Sequence, residues 1–387
     1  MFGQSTNGAR VKNIIVGPAF PLRGGIANFN EALCRALNKA GIQSKIFSFS
    51  LQYPDFLFPG KTQYDKGSSK PSDIKIETLI NSINPATWFK TAKLIKEEKP
   101  DFVIIRYWLP FMAPCLGTIA RLIKWKTNIK VIVIADNILP HEKRVGDKFL
   151  TKYFVSACDG FVVMSNSVMD DLKKFVPQNK AVFLPHPIYE IFGEKISREE
   201  ALLHLSLRQS YRYILFFGFI RRYKGLDLLL EAMTDSRIRD LGIKLLVAGE
   251  CYEDVNYYFK FIKEHNIEGS VILKADYIPA SEVKNYFNAA DMIVQPYRTA
   301  TQSGVTQIAY NFERPMLVTD VGGLAEIVPH LKVGYVVEPA PIAIADALVH
   351  FFTNNLEAEF SKNAAIEKGR FLWSTFVEGI ADLYKKL

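Results

Sequence analysis

Cysteine is scarce in this chain. Four occur in 387 residues, Cys34, Cys115, Cys158 and Cys251, far apart and with no CxxC or Cys/His cluster. That spacing argues against a zinc site or a disulfide framework, and a reduced compartment is the default. No apolar run reaches the roughly 20 residues needed to span a bilayer. The longest, Tyr107–Ala120, is interrupted by Pro110 and Pro114 and reads as core or domain-edge packing, with a position on a membrane surface as the alternative. The N-terminal MFGQSTNGARVKN has no apolar h-region, so no targeting segment is expected. GxGxxG is absent, as is any short-period repeat. The 23 Gly and 19 Pro are scattered, which excludes collagen-like, low-complexity and largely disordered classes.

What is present is length, charge asymmetry and rhythm. At about 150 residues per domain the chain holds more than one domain. Lys+Arg against Asp+Glu gives 26 − 15 = +11 over residues 1–190 and 22 − 25 = −3 over 191–387. A basic half joined to a slightly acidic one suggests two domains with different partners. Short aliphatic runs alternate with amphipathic segments: Asn13–Val16, Ser44–Phe49, Phe102–Ile105, Val131–Ile134, Gly160–Met164 and Ala181–Leu184 as strands, with Asn28–Ala40 and Ser165–Phe175 as helices. The rhythm restarts after a polar stretch around Pro185–Gln209. Tyr213–Gly218, Lys244–Ala248, Val271–Lys274, Met292–Gln295, Met316–Val318 and Gly334–Val336 then alternate with helices such as Leu226–Met233 and Gly304–Asn311. This is the βαβ pattern of two doubly wound α/β domains. Expected boundaries are 1–190 and 205–370, with a hinge near 186–210. A terminal helix at 371–387 either caps the second domain or crosses back to the first.

Four strand-to-helix loops could carry chemistry. Gly17–Ala27, with Gly24 and Gly25, brings bare backbone and a helix N-terminus toward an anion, or is a plain turn. Gly218–Leu226 adds cations: Arg221 and Lys224, three residues apart, could converge on a phosphate, the guanidinium on two oxygens and the ammonium as a point charge. Pro296–Val305 offers Gln302, Ser303 and Gly304 at a helix N-terminus, suited to a diphosphate or to ordinary capping by Ser303. Thr319–Glu326 turns through two glycines and leaves Glu326 in the first turn of a helix, where the dipole favours a carboxylate.

Together these loops resemble glycosyltransferase family 4, retaining nucleotide-sugar enzymes of the GT-B fold. The resemblance rests on the Gly-Gly loop, the Arg/Lys loop before Lys224–Leu226, Ala290–Met292 leading to Pro296, and Gly322–Val328. It implies two Rossmann-like domains facing across a cleft, an N-terminal acceptor domain, a C-terminal donor domain, and a last helix that returns to the first domain. By position, Arg221 and Lys224 resemble the pair that stabilises the leaving diphosphate, without a metal. Gly24 and Gly25 resemble the loop that closes near phosphate and acceptor; Gly218, Thr301, Gln302, Ser303, Gly304 and Val305 the donor-binding residues; and Glu326 the acid of the GG-x-x-E turn, read as structural. Two glutamates usual in the family fall at Ala300 and Ile308, neither of which can hydrogen-bond a sugar or ribose, so Gln302, Ser303 and Gln307 are the candidate substitutes. Asn137 and His141 follow a buried strand where family members present polar groups to the donor sugar, and are taken as sugar or acceptor contacts; His186 is read as a packed hinge residue.

The resemblance thus implies sugar transfer to a saccharide, lipid-linked or other hydroxyl acceptor in cell-surface polysaccharide or glycolipid synthesis, with a nucleoside diphosphate sugar as donor and no other cofactor. It implies a cytoplasmic protein, at most in peripheral contact with anionic membrane. For that contact the segment Lys90–Lys99, with lysines at 90, 93, 96 and 99 beside Trp88 and Phe89, is the candidate, against a solvated helix face. Rival readings are a same-fold nucleotide-sugar epimerase and a non-catalytic two-domain binding protein. Nucleic acid is not an expected partner, because the aromatics form no RNP-like pattern.

Overall fold

The computed structural model describes residues 10–54, 63–64, 70–139, 145–188, 192–300 and 303–387. The chain divides into two compact units, one of Met1–Pro185 with Trp373–Leu387, the other of His186–Leu372. The second begins at His186, ahead of residue 205, because the polar stretch contains a helix that packs into it.

Unit 1 holds strands β1 (Lys12–Val16), β2 (Gln43–Leu51), β3 (Ile76–Asn81), β4 (Phe102–Tyr107), β5 (Lys130–Ala135), β6 (Gly160–Val163) and β7 (Ala181–Phe183). Its helices are α1 (Gly25–Lys39), α2 (Pro85–Glu98), α3 (Ala113–Lys124), α4 (Asp147–Val155) and α5 (Asn166–Lys173). The strands form one sheet in the order β3-β2-β1-β4-β5-β6-β7, and each pairing is parallel. Burial on both faces is why the central strands read as unbroken aliphatic runs. Alternate residues divide between two cores: Val103, Ile105, Val131 and Val133 pack with α2 to α5, while Ile104, Ile132 and Ile134 pack with α1. β3 was not expected. It is an edge strand whose polar Glu77, Thr78 and Asn81 break the aliphatic signal.

Unit 2 opens with α6 (Arg198–His204), followed by β8 (Arg212–Phe217), α7 (Leu226–Ala232), α8 (Ser236–Asp240), β9 (Ile243–Ala248), α9 (Val255–Glu264), β10 (Val271–Lys274), α10 (Ala280–Ala289), β11 (Met292–Gln295), α11 (Gly304–Asn311), β12 (Met316–Thr319), α12 (Leu324–Ile327), β13 (Gly334–Val337), α13 (Pro341–Thr353) and α14 (Glu357–Glu367). Its sheet runs β10-β9-β8-β11-β12-β13, again parallel throughout. In both units the order reverses beside the first strand, between β1 and β4 and between β8 and β11. Ligands of doubly wound sheets bind outside the carboxyl ends of the strands at such a switch point.

The last helix, α15 (Trp373–Lys386), belongs to unit 1. Trp373 lies 5.1 Å from the Phe29 ring, Tyr384 lies 4.9 Å from Phe102, and a Cβ on Gly160 would strike Leu387 at 2.8 Å. Phe371, just before it, stays with unit 2, 4.5 Å from Tyr310.

Candidate functional site

At the unit 2 switch point the chain leaves β8 through Gly218, whose φ of 93° is in the left-handed region that favours glycine. A Cβ at Gly218 would meet Lys224 Nζ at 3.2 Å and Val305 Cγ2 at 3.8 Å. Three elements therefore converge there: the end of β8, the turn before α7, and the first turn of α11. Gly225 tightens the convergence, because a Cβ on it would sit 2.0 Å from the Pro296 carbonyl oxygen. The loop after β11 is tied to the same place by Arg298, whose backbone N–H donates to Tyr223 O at 2.7 Å and whose guanidinium donates to Asp227 at 2.6 Å.

Lys224 is 9% exposed and pairs with no carboxylate among the described residues. Burial pulls its ammonium down to about 8, and the positive charge of Arg221 acts in the same direction. Its Nζ stands 5.3 Å from the centre of the Tyr297 ring. Arg221 itself is exposed, stacked 4.8 Å over Tyr252. Glu253 shapes the turn between them by accepting from the Arg222 backbone N–H and from Tyr258 Oη at 3.1 Å.

On the α11 side Ser303 is the N-cap, with Oγ accepting from Val305 N at 3.2 Å. Tyr297 Oη lies 3.3 Å from that same Oγ, and burial pushes the Tyr297 hydroxyl above its ordinary range. Gly304 and Val305 open the helix, so their N–H groups point along its positive end. Thr301 and Gln302 lie outside the described residues. Ile308 is packed in the hydrophobic core, with Ala300 against its edge. Gln307 is buried and its Oε1 has no partner among the described residues. Glu326 is solvent-exposed in α12, and no hydrogen bond among the described residues joins it to this cluster.

Unit 1 presents a different switch point. Gly24 is the N-cap of α1, with φ 116° and no side chain to offer, and Gly25 is its first residue; both are exposed. α1 thus begins three residues before the expected Asn28, which brings both glycines to the helix end. Behind this loop lies a pair the motif reading missed. Arg106, 2% exposed, sends Nε to Asp136 Oδ2 at 2.7 Å, a second nitrogen to Oδ1, and stacks 4.0 Å over Phe29. The signal was an arginine inside the aliphatic run of β4, which requires a buried partner. Gly17 gives room for it, since a Cβ there would sit 2.7 Å from Asn30 Nδ2 and 3.0 Å from Arg106 Cβ. Asn137, half-buried, follows Asp136 at the end of β5. His141 lies outside the described residues.

Two doubly wound domains with parallel sheets, one of them holding a buried lysine that has no carboxylate partner among the described residues, are the architecture of the GT-B fold. Comparison with known proteins agrees. Residues 23–189 match the family described as Glycosyltransferase Family 4, and residues 211–354 the domain described as Glycosyl transferases group 1. The chain belongs to glycosyltransferase family 4. It is 23% identical over 317 residues to an uncharacterised glycosyltransferase of Methanocaldococcus jannaschii, covering 81% of each chain. To the D-inositol 3-phosphate glycosyltransferase of Corynebacterium urealyticum it is 25% identical, covering 74% of this chain and 72% of that protein. Among solved structures, a glycosyltransferase from Rickettsia africae superposes with a TM-score of 0.73 at 18% identity, over 97% of this chain and 98% of that one. HepE of Anabaena, solved in complex with UDP, superposes with a TM-score of 0.70 at 13% identity, over 97% and 100%.

Proposed function

We propose that the protein transfers a sugar from a nucleoside diphosphate sugar to an acceptor hydroxyl, with retention and without a metal. One observation carries this reading: a buried lysine with no carboxylate partner among the described residues, at the switch point, against Gly218 and the first turn of α11. A buried ammonium left unpaired is costly unless an anion arrives to meet it. As the bond from the anomeric carbon to the β-phosphate oxygen breaks, negative charge grows on the diphosphate. Lys224, Arg221 and the Gly304 N–H at the start of α11 are placed to stabilise that charge. The acceptor oxygen bonds to the same face of the anomeric carbon, and its proton passes to the departing phosphate oxygen, so no side-chain nucleophile is needed. In unit 1, Gly24 and Gly25 serve the phosphate and acceptor, and Asn137 with His141 the sugar hydroxyls.

Lys224 and Arg221 supply the positive charge that a metal would otherwise bring to the diphosphate. Of the fold neighbours, HepE was solved with UDP and with UDP-glucose, so uridine nucleotides lead the donor candidates. Relatives named D-inositol 3-phosphate glycosyltransferase and O-antigen chain mannosyltransferase favour a polyol or saccharide acceptor in cell-surface glycan or glycolipid synthesis, in the cytoplasm.

The test is a panel of nucleoside diphosphates scored by thermal stabilisation. A true ligand at 100 times its dissociation constant adds about 2.7 kcal/mol, and none in the panel doing so would overturn the reading. Donor consumption that requires an acceptor and persists in EDTA completes it. Consumption without acceptor would replace transfer by epimerisation, and stabilisation without any turnover would leave only a binding protein.

A further inference from the structure

We propose, on the donor reading given above, that Glu253 is a positioning residue for sugar transfer, holding the turn that aims Arg221 at the diphosphate. Arg221 stands at the N-cap of the single 3-10 turn Arg222–Lys224 and provides no side-chain cap. The N-cap side chain ordinarily accepts from the first amides of a helical turn, but a guanidinium carries donors only. The residue type that a diphosphate calls for therefore cannot close its own turn. Glu253, 31 residues beyond Arg222, supplies the missing acceptor: one carboxylate oxygen accepts from the Arg222 backbone N–H. The other accepts from Tyr258 Oη at 3.1 Å, and Tyr258, 2% exposed on α9, anchors it to the body of unit 2. Burial pushes the Tyr258 hydroxyl above its ordinary range and the Glu253 charge acts the same way, so this hydroxyl stays a donor.

The rest of the loop after β9 grips the same turn. Pairing of β8 with β9 continues past the strand ends, where Ile220 N donates to Glu250 O at 2.9 Å and Tyr252 N donates to Ile220 O at 3.1 Å. The two loops approach so closely that a Cβ on Gly249 would sit 2.1 Å from the Gly218 oxygen. Tyr252, over which the Arg221 guanidinium stacks at 4.8 Å, is itself fixed. Its ring meets Phe219 edge to face at 4.9 Å, and its hydroxyl donates to Glu250 at 3.0 Å. Arg221, though exposed, is thus held through the residue before it, the residue after it and its own side chain. An arginine already ordered loses less freedom when it meets a phosphate. The carboxylate also has an opposing effect, because a negative charge near an anion site repels the ligand. The hydrogen bond that Glu253 accepts and the charge that it carries therefore act on diphosphate affinity with opposite signs.

Binding of UDP, GDP and ADP to the full chain is measured by calorimetry, together with hydrogen exchange at the Arg222 amide. Glu253→Ala should weaken the tightest of the three about fivefold, the net worth of one hydrogen bond, and the Arg222 amide should exchange faster. Glu253→Gln keeps a carbonyl oxygen for that amide and drops the charge, so it should bind at least as tightly as the parent, with exchange unchanged. Tyr258→Phe, which removes the anchor, should act in the same direction as Glu253→Ala and more weakly. In an Arg221→Ala background the loss from Glu253→Ala should shrink to less than about twofold, because both act on one contact. Tighter binding by Glu253→Ala, the result for a bystander carboxylate, overturns the proposal. So does an undiminished loss in the Arg221→Ala background, or an Arg222 amide that exchanges freely in the parent. A parent that binds none of the three nucleotides overturns the donor reading and this proposal with it, whereas binding by the parent that Glu253→Ala leaves unchanged overturns this proposal alone.

Discussion

The two switch points handle buried charge in opposite ways. In unit 1, Arg106 is almost wholly buried but its guanidinium is met by the Asp136 carboxylate and covered by Phe29. In unit 2, Lys224 is nearly as buried and meets another cation, Arg221, with a tyrosine ring for company. The half of the chain with a net charge of +11 neutralises its central cation, and the half at −3 leaves one open. The first is a structural pair within unit 1, both carboxylate oxygens taken and one guanidinium nitrogen, Nη1, without a partner among the described residues. The second is a desolvated charge with no counter-charge among the described residues, which is what the proposed diphosphate site calls for.

Substitutions break this comparison in opposite directions. Arg106→Met removes one member of a buried pair and leaves Asp136 uncompensated, at an expected cost of about 3 kcal/mol, at the low end for such pairs because Asp136 keeps some contact with water. Urea unfolding measures it, and adding Asp136→Leu should recover most of the loss; a single variant as stable as the parent would mean the pair is not closed in solution. Lys224→Met should do the reverse. Stability holds or rises, because an unpaired buried ammonium is gone, while kcat falls by at least about tenfold through loss of transition-state stabilisation, as it should for Arg221→Ala. A drop in stability with unchanged kcat would make Lys224 a packing residue.

The sheets were legible in the sequence because parallel strands buried on both faces leave unbroken runs such as Val131–Ile134. Elements without that double burial were harder to read. β3 at the edge was missed, and α6 was absorbed into a supposed hinge, although Ser197 followed by Glu200 is an N-cap signature and the Ser197 Oγ does accept from Glu200 N at 3.1 Å. For the site, the loops were readable one at a time because each joins a strand to a helix. Their meeting was not. Lys224 and Val305 are far apart in sequence, and only the β8/β11 adjacency brings both to Gly218. Tyr297 was passed over because an aromatic after a strand reads as core, which it also is.

The pH dependence of ligand binding sharpens the contrast further. Lys224 titrates at about 8 in the folded chain against an ordinary 10.5. Between those values the unfolded chain holds a proton that the folded chain has released, so this group's contribution to stability rises with pH across that window; below it both are protonated and the burial penalty is fully present. A diphosphate binds the ammonium form. Affinity should therefore fall above about pH 8, by up to about tenfold per pH unit, with proton uptake on binding. Calorimetry in two buffers of different ionisation enthalpy reads that uptake, and in Lys224→Met it should vanish. Affinity that stays flat to well above pH 9 would place the anion elsewhere.

The smallest effect separates capping from ligand binding at α11. α1 in unit 1 is capped by Gly24, which has no side chain to spend on its amides, whereas α11 is capped by Ser303, whose Oγ already accepts from Val305 N and lies 3.3 Å from Tyr297 Oη. Ser303→Ala should cost about 1 kcal/mol of stability, the usual loss for an N-cap. Because the hydroxyl is occupied within the loop, the Michaelis constant for the donor should move less than twofold while the helix end loosens. Asp at this position should restore the cap but set a carboxylate beside the phosphates, so Ser303→Asp should regain stability and lose donor affinity. If Ser303→Ala instead leaves stability intact and raises the donor Michaelis constant tenfold, the hydroxyl belongs to the ligand, and the two helix N-termini are used alike.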